Sequence, residues 1–135
     1  MAKKIFINLP VANLPKSMDF YTKIGFTNNP TFTDETAACM VLSEEIYVML
    51  LTHDKFSQFS NKKIIDAKTH TGVINSVSVD TPAELTTMAD AALQNGGSEA
   101  SEPKDYGFML QRSFNDPDGN HWEVIYMDMS KFPGQ

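Results

Sequence analysis

Residues 114–126, FNDPDGNHWEVIY, place a charged turn directly before a strand that holds a single acidic residue. Pro117 presets one backbone dihedral of a turn, and Gly119 permits a positive φ. Asp116 and Asp118 can accept hydrogen bonds from nearby backbone amides. The segment therefore predicts a tight turn that presents the following strand in a fixed register.

The strand after this turn has two unlike faces, because successive side chains of a strand point to opposite sides of the sheet. The uniformly hydrophobic face carries Trp122, Val124 and Tyr126. The mixed face carries His121, Glu123, Ile125 and Met127. Alternation thus places Glu123 on the mixed face and raises the question of whether it is a metal ligand, a base or a structural carboxylate.

The second half of the chain, which ends with this strand, begins with an alternating strand in GVINSVSVD and continues with a helix. Thr81 is a predicted N-cap, Pro82 suits the first helical position and Glu84 completes a capping box. Glycines 96 and 97 end the helix. Strands are predicted near residues 98–102, 108–114 and 121–127.

The first half has the same order of elements. A strand in KIFINL precedes a helix that Asn13 caps, with Pro15 in its first turn and Gly25 after its end. Strands are predicted around residues 31–33, 37–42 and 47–52. Aligning Asn13 with Thr81 places Phe6 on Ile74 and Asn8 on Ser76.

The repeated order predicts an α+β fold made of two βαβββ modules within one domain, residues 1–135. Module one covers about residues 1–53, and a connector with at most one helical turn covers about 54–71. Module two covers about 72–128, and a C-terminal tail covers 129–135.

Composition excludes several classes of function. A 135-residue chain that is 41% hydrophobic can bury a core of its own. The net charge of −6 and scattered basic residues argue against nucleic acid as a partner. Because neither a long apolar run nor a signal peptide is recognised, we expect a cytoplasmic protein without a membrane partner. The single cysteine, Cys39, is predicted to be a buried small hydrophobe.

The segments LPVANLPKSMDFYTKIGF and RSFNDPDGNHWEVIYMD, at this separation, resemble the vicinal oxygen chelate superfamily. This superfamily includes glyoxalase I, extradiol dioxygenases, fosfomycin-resistance transferases and bleomycin-binding proteins. The resemblance implies that each module curls its sheet into half a cup and that paired modules close over a small ligand. It also implies a homodimer, in which such cups are commonly completed.

The resemblance assigns metal-ligand positions on the first and last strands of each module, here Phe6, Leu50, Ile74 and Glu123. Hydrocarbon and phenyl side chains cannot bind a divalent cation, which needs several oxygen, nitrogen or sulfur donors. We therefore predict no metal site and no cofactor.

The same positions predict a pocket for a small organic molecule. Phe6, Leu50 and Ile74 would form its apolar floor. The nearby polar groups are Asn8, Thr52, Ser76, Arg112, His121 and Glu123. Two alternatives stay open at this stage: the apolar side chains could fill the cup completely, and Glu123 could belong to a structural pair with Arg112 or His121.

The predicted function is metal-independent binding of a small organic molecule in a cup or dimer groove, with Glu123 as a polar anchor. The alternative is a lyase, isomerase or dioxygenase-like enzyme that uses Glu123 as a base or as part of an unrecognised metal site. Apolar neighbours would favour a neutral carboxyl that donates a hydrogen bond, or poise Glu123 as a base, whereas a basic partner would hold it charged. The sequence contains no motif of a serine nucleophile or a phosphate-binding loop.

Overall fold

The computed structural model describes residues 2–133, which form two compact units that divide between Asp66 and Ala67. Residue 1 and the last two residues of the predicted tail lie outside the described residues. Each unit contains a strand, a helix and further strands in that order, and each builds one mixed sheet that is not closed. The predicted α+β fold of two βαβββ modules is confirmed.

The first unit contains five regular elements and one additional short helix. They are β1 (Ile5–Val11), α1 (Leu14–Lys23), β2 (Thr27–Asn29), β3 (Ala37–Val41), β4 (Ile46–Thr52) and α2 (His53–Ser57). The strand order is β1-β4-β3-β2, in which β1 and β4 are parallel and the other neighbours are antiparallel.

Helix α1 begins where the sequence predicts. The Asn13 side chain accepts a hydrogen bond from Lys16 N at 3.1 Å, and Pro15 lies in the first turn. After the helix, Gly25 adopts a φ of 117°, which glycine tolerates because it lacks a Cβ. The local sequence thus fixes both ends of this helix.

The strand predicted around residues 31–33 is wrong. The strand at this point is β2, and it stops at Asn29. Pro30 cannot donate a backbone hydrogen bond to a sheet, and the Asn29 side chain accepts from Thr31 N at 3.1 Å. These two effects start a 3-10 turn, Pro30–Phe32, in place of a strand.

The core of the first unit lies between α1 and one face of its sheet. Phe20 and Tyr21 of α1 are fully buried, as are Met40 of β3 and Val48 and Leu50 of β4. Burying each such side chain stabilises the fold by about 1.5–3 kcal/mol. This packing leaves the opposite side, which we call the open face of the first sheet, turned away from α1.

The second unit repeats the arrangement. Its elements are β5 (Ile74–Ser78), α3 (Pro82–Gln94), β6 (Ser98–Glu99), β7 (Lys104–Asp105), β8 (Met109–Asn115) and β9 (His121–Met127). The strand order is β5-β9-β8-β6, with β7 also paired to β8, and β5 runs parallel to β9. The strand predicted at 98–102 is shorter than expected, and Pro103, which has no N–H for a ladder, precedes β7.

The predicted cap of α3 forms in a modified way. Thr81 Oγ1 accepts from Glu84 N at 3.1 Å, as a capping box requires. In the returning bond, Asp80 N, one residue before the cap, donates to Glu84 Oε2 at 3.1 Å. The first bond satisfies a backbone donor that the helix itself leaves unpaired, and the second ties the residue before the cap to the first turn.

The core of the second unit lies between α3 and the hydrophobic face of β8 and β9. Trp122, Val124 and Phe114 are buried there, together with Leu85 and Ala89 of α3. The side of this sheet turned away from α3 is its open face. Within residues 2–133, no helix is long and apolar enough to cross a membrane.

Candidate functional site

The turn before β9 is held by one buried carboxylate. Asp116 Oδ1 accepts from the backbone amides of Asp118 and Asn120, each at 2.9 Å, and Oδ2 accepts from Asn120 Nδ2 at 2.9 Å. Gly119 N donates to Asp116 O at 2.9 Å. Asp116 is therefore engaged in forming the turn, in the role that the sequence predicts.

Gly119 also sits where no side chain fits. Its φ is 95°, and a Cβ would lie 2.7 Å from the carbonyl carbon and oxygen of Ala67 and from Lys68 N. Real Cβ atoms do not approach backbone this closely. The turn therefore packs closely on the backbone of residues 67–68, and this contact helps to fix the register of β9.

Glu123 lies on the open face of the second sheet, as alternation predicts. Its direct neighbours in register are Ser76 of β5 and Ser113 of β8. Trp122 and Val124, on either side of it, are buried on the other face, toward α3. The carboxylate itself is half-buried.

Two side chains hold the Glu123 carboxylate. Ser76 Oγ donates to Oε1 at 2.6 Å, and Gln111 Nε2 donates to Oε2. Ser76 belongs to β5 and Gln111 to β8, so the strands on both sides of β9 contribute one donor each. The site is thus a carboxylate clamped between a hydroxyl and an amide.

Gln111 was not predicted, although a signal for it exists in the sequence. Phe114 belongs to the hydrophobic face with Trp122, its partner in register. Counting back from Phe114 by twos assigns Arg112 to that same face and Gln111 to the face of Glu123. Alternation within β8, anchored on Phe114, would have identified Gln111.

The prediction that Arg112 belongs to the pocket is wrong for the same reason. Arg112 is in register with Val124 and reaches Asp90 of α3, with Arg112 Nη2 3.2 Å from Asp90 Oδ1. It therefore lies on the opposite face from Glu123 and cannot pair with it. The proposed Arg112–Glu123 ion pair does not form.

His121 lies on the same face as Glu123, two residues before it. It is in register with Ile74 and Asn115. In the described part of the chain, its Nε2 atom is buried without a hydrogen-bond partner. The alternative in which His121 pairs with Glu123 is also not observed among these residues.

Two further predicted residues, Ile74 and Ser76, lie beside this cluster on β5. Ser76 contacts Glu123, whereas Ile74 is one register step away, opposite His121, and is 47% exposed. The residue directly across from Glu123 is therefore the hydroxyl of Ser76. Ile74, which the resemblance assigned to a metal-ligand position, is therefore in register with His121, two residues before Glu123.

In the first unit, Phe6 and Asn8 lie on the open face of their own sheet. Phe6 is 52% exposed and stacks on Tyr47, with ring centroids 4.6 Å apart and planes inclined by 16°. Asn8 is exposed, and its Nδ2 donates to Phe6 O at 3.3 Å. This face presents an aromatic pair and an amide.

The predicted placement of Leu50 and Thr52 is wrong. Leu50 is in register with Leu9, and both are buried on the side of α1, away from Phe6. Met49 occupies the corresponding place on the open face, in register with Asn8. Thr52 caps α2, because its Oγ1 accepts from Lys55 N at 3.3 Å.

The donors around Glu123 do not fit the metal that the family resemblance implies. Its contacting side chains are a hydroxyl and an amide, and both donate hydrogen bonds to the carboxylate. Zinc and iron sites of proteins take histidine, cysteine and carboxylate ligands. Across residues 2–133, no group of three or more His, Cys, Asp or Glu side chains is placed to hold an ion.

Comparison with known proteins supports the assignment that the fold and the sequence motifs suggest. The profile of the Glyoxalase/Bleomycin resistance protein/Dioxygenase superfamily matches residues 5–124. The chain therefore belongs to this superfamily, as the resemblance of its sequence motifs predicts. No curated protein sequence matches the chain significantly.

Several solved structures share the fold. Hypothetical protein SA1046 from S. aureus has a TM-score of 0.78 at 24% identity, with 93% of this chain and 94% of that chain covered. A family enzyme from Burkholderia phytofirmans PsJN has a TM-score of 0.75 at 16% identity, covering 93% and 99%. The bleomycin resistance determinant encoded on the transposon Tn5 has a TM-score of 0.65 at 17% identity, covering 94% and 99%. At these identities the likeness shows a common fold.

Proposed function

We propose that this protein binds a small organic molecule on the open face of the second sheet, without a metal ion, and that Glu123 anchors the ligand. The observation that carries the proposal is the clamp on Glu123. Ser76 and Gln111 fix the orientation of a half-buried carboxylate on a face that α3 does not cover. A few fixed polar groups beside apolar side chains are a common feature of ligand sites.

The side chains around the clamp support this proposal. Ile74 is exposed, and Ile125 and Met109 are partly exposed on the same face. Apolar surface that stays accessible to water gains free energy when a ligand covers it, at roughly 25 cal/mol per Å². The apolar groups would thus supply affinity, while Glu123 would supply orientation.

A fragment screen followed by amide NMR spectra tests the proposal. We expect fragments to shift the amide signals of Ser76, Gln111 and Glu123, and Glu123→Gln to weaken their binding without unfolding the protein. Glu99→Gln is the matched control, because it removes the same charge from an exposed position in the same unit. Fragments that bind equally well to the wild type and Glu123→Gln would contradict the anchoring role.

Metal independence is tested separately. Purified protein, treated with a chelator, should keep its fragment affinity and its folding. Reconstitution with zinc, iron, nickel or manganese should give no stoichiometric uptake. Near-equimolar uptake that Glu123→Gln abolishes would show that the ligand set has been misassigned.

The proposal includes a homodimer. Strands β1 and β5 each end their sheet, and an edge strand offers unpaired backbone groups to a partner. Exposed Ile5, Phe6, Val73 and Ile74 lie on or next to these edges. Sedimentation should give a dimer at micromolar concentrations, and a monomer that persists at tens of micromolar would contradict this part of the proposal.

A second candidate function is catalysis with Glu123 as a general base. The observation in its favour is that the carboxylate is oriented by two donors and remains partly accessible, as a base that must reach a substrate requires. Chemical analysis of bound fragments after long incubation separates the two functions. Fragments recovered unchanged support binding, whereas conversion that stops in Glu123→Gln supports an enzyme.

A further inference from the structure

We propose that the ligand of this site carries a protonated amine on an apolar body and that the ammonium group binds at the Glu123 carboxylate. This inference rests on the proposed function, because it names the chemical class of the molecule bound there. It follows from the charge, the hydrogen-bonding capacity and the apolar neighbours of the clamp.

The side chains that hold Glu123 leave its negative charge unpaired by any cation of the described residues. Neither of the groups that hold Glu123 is cationic, since Ser76 contributes a hydroxyl and Gln111 an amide. Among residues 2–133, Glu123 has no ion-pair partner, whereas the basic Arg112 is committed to Asp90 on the opposite face. A half-buried carboxylate is stabilised by a nearby positive charge, and here the ligand can supply it.

The groups around Glu123 keep hydrogen-bond acceptors that no side chain of the clamp uses. Ser76 and Gln111 already use a donor on Glu123, which leaves carboxylate lone pairs, the Ser76 oxygen and Gln111 Oε1 as acceptors. A ligand that matches these groups must bring N–H or O–H donors. An ammonium group brings three, whereas a carboxylate or phosphate brings mainly acceptors and like charge.

Apolar side chains lie next to the clamp on the same face. Ile74 and Ile125 lie one register step from Glu123 on β5 and β9, and Met109 lies on β8 of the same face. An alkyl or aromatic group attached to the amine would cover these side chains. The chain's net charge of −6 favours the approach of a cation in addition.

Three probes of similar size test the inference: n-hexylamine, 1-hexanol and hexanoate, which share an apolar chain and differ in the charge of the polar group. Affinities are measured by amide NMR titration of the full chain at neutral pH. Because charge-assisted hydrogen bonds are roughly twice as strong as neutral ones, we expect hexylamine to bind about tenfold more tightly than hexanol. Hexanoate should bind more weakly than both.

Variants show whether the preference comes from Glu123. Glu123→Gln keeps the shape and removes the charge, so hexylamine should lose its advantage over hexanol. Glu99→Gln removes a charge from the same unit and should leave that advantage unchanged. Thermal unfolding of both variants confirms that they are folded.

Two results would overturn the inference, and only one of them also leaves the binding site in place. If hexanol or hexanoate shifts the Ser76, Gln111 and Glu123 signals at least as strongly as hexylamine, the amine class is wrong and the binding site stands. If none of the three probes shifts these signals, the amine class is wrong too, and the fragment screen then decides separately whether the face binds organic molecules.

Discussion

The open faces of the two sheets differ at equivalent register positions, although the sheets share one topology. In the first sheet, Asn8 and Cys39 flank Met49. In the second sheet, Ser76 and Ser113 flank Glu123. The repeat therefore preserves the packing of helix on sheet, whereas a few side chains set the character of the other face.

The faces that pack on the helices are alike in the two units, because both are buried and apolar. Val48 and Leu50 of β4 are buried in the first unit, as Trp122 and Val124 of β9 are in the second. The core requires apolar side chains of suitable volume at every second position of the central strand. The open face is less uniform. It carries the Phe6–Tyr47 aromatic pair and the buried Cys39 in one unit and the clamped Glu123 in the other.

The largest expected effect tests which residues of β4 belong to which face. Leu50→Ala should lower the free energy of unfolding by about 2–5 kcal/mol, because it leaves a cavity in a fully buried place. Met49→Ala, on the half-buried open face, should cost about 1 kcal/mol. Urea denaturation measures both. A larger loss for Met49→Ala would reverse the assignment of the two faces.

The turn before β9 provides the next effect, because it sets the register that brings Glu123 to Ser76. Gly119→Ala adds strain at a positive φ and a clash with the backbone of residues 67–68, and we expect a loss of about 2 kcal/mol or more. Gly107→Ala is a matched control. Gly107 has a φ of 84°, but a Cβ there meets nothing within 4 Å. Equal losses for the two variants would show that the close approach at Gly119 contributes nothing.

A smaller effect tests the face of Arg112. Its ion pair with Asp90 is partly exposed, so Arg112→Met should cost about 1 kcal/mol or less, and added salt should reduce the difference. The affinity for ligands of the open face should not change. A loss of ligand affinity in Arg112→Met with stability unchanged would place Arg112 beside Glu123 and refute the register of β8.

The smallest effect concerns a carboxylate of the first unit that serves a turn. The pKa of Asp34 is lowered because the Thr36 hydroxyl donates to it, with help from the backbone amides of Thr36 and Ala37. A lowered pKa means that the charged form stabilises the folded state above the unfolded pKa and that this stabilisation is lost as the pH falls through the folded pKa.

We therefore expect Asp34→Asn to be less stable than the wild type at neutral pH. The difference should shrink as the pH falls below the ordinary aspartate value of 3.8. Urea midpoints measured across the acid range check this. Thr36→Ala should show a weaker dependence on pH in the same range, and a difference that grows in acid would contradict the assignment.

The sequence predicts the elements that local chemistry specifies. The caps at Asn13 and Thr81 define both long helices, and the alternation after the glycine turn places Glu123 on the correct face. The strand predicted at residues 31–33 failed because the turn formed by Asn29 and Pro30 was not recognised. Local sequence therefore explains both the correct predictions and the failed strand.

The sequence did not reveal which residues of β4 and β8 face the helix, and the reason is physical. The β4 segment IYVMLLT is apolar at both odd and even positions, so alternation does not say whether Met49 or Leu50 faces the helix. The β8 segment MLQRSFN likewise mixes polar and apolar residues on both faces, which led to Arg112 being chosen in place of Gln111. Pairing with a neighbouring strand supplies the missing information, and pairing is a tertiary property.

The proposed location of the ligand, at Glu123 on the open face of the second sheet, can be tested by itself. Amide NMR spectra of the wild type, recorded with the fragment that binds most tightly, test this directly. We expect shifts at Ser76, Gln111 and Glu123, with the signals of Asn8 and Met49 unmoved. Shifts confined to Asn8 and Met49, with the three signals of the second sheet unchanged, would contradict it.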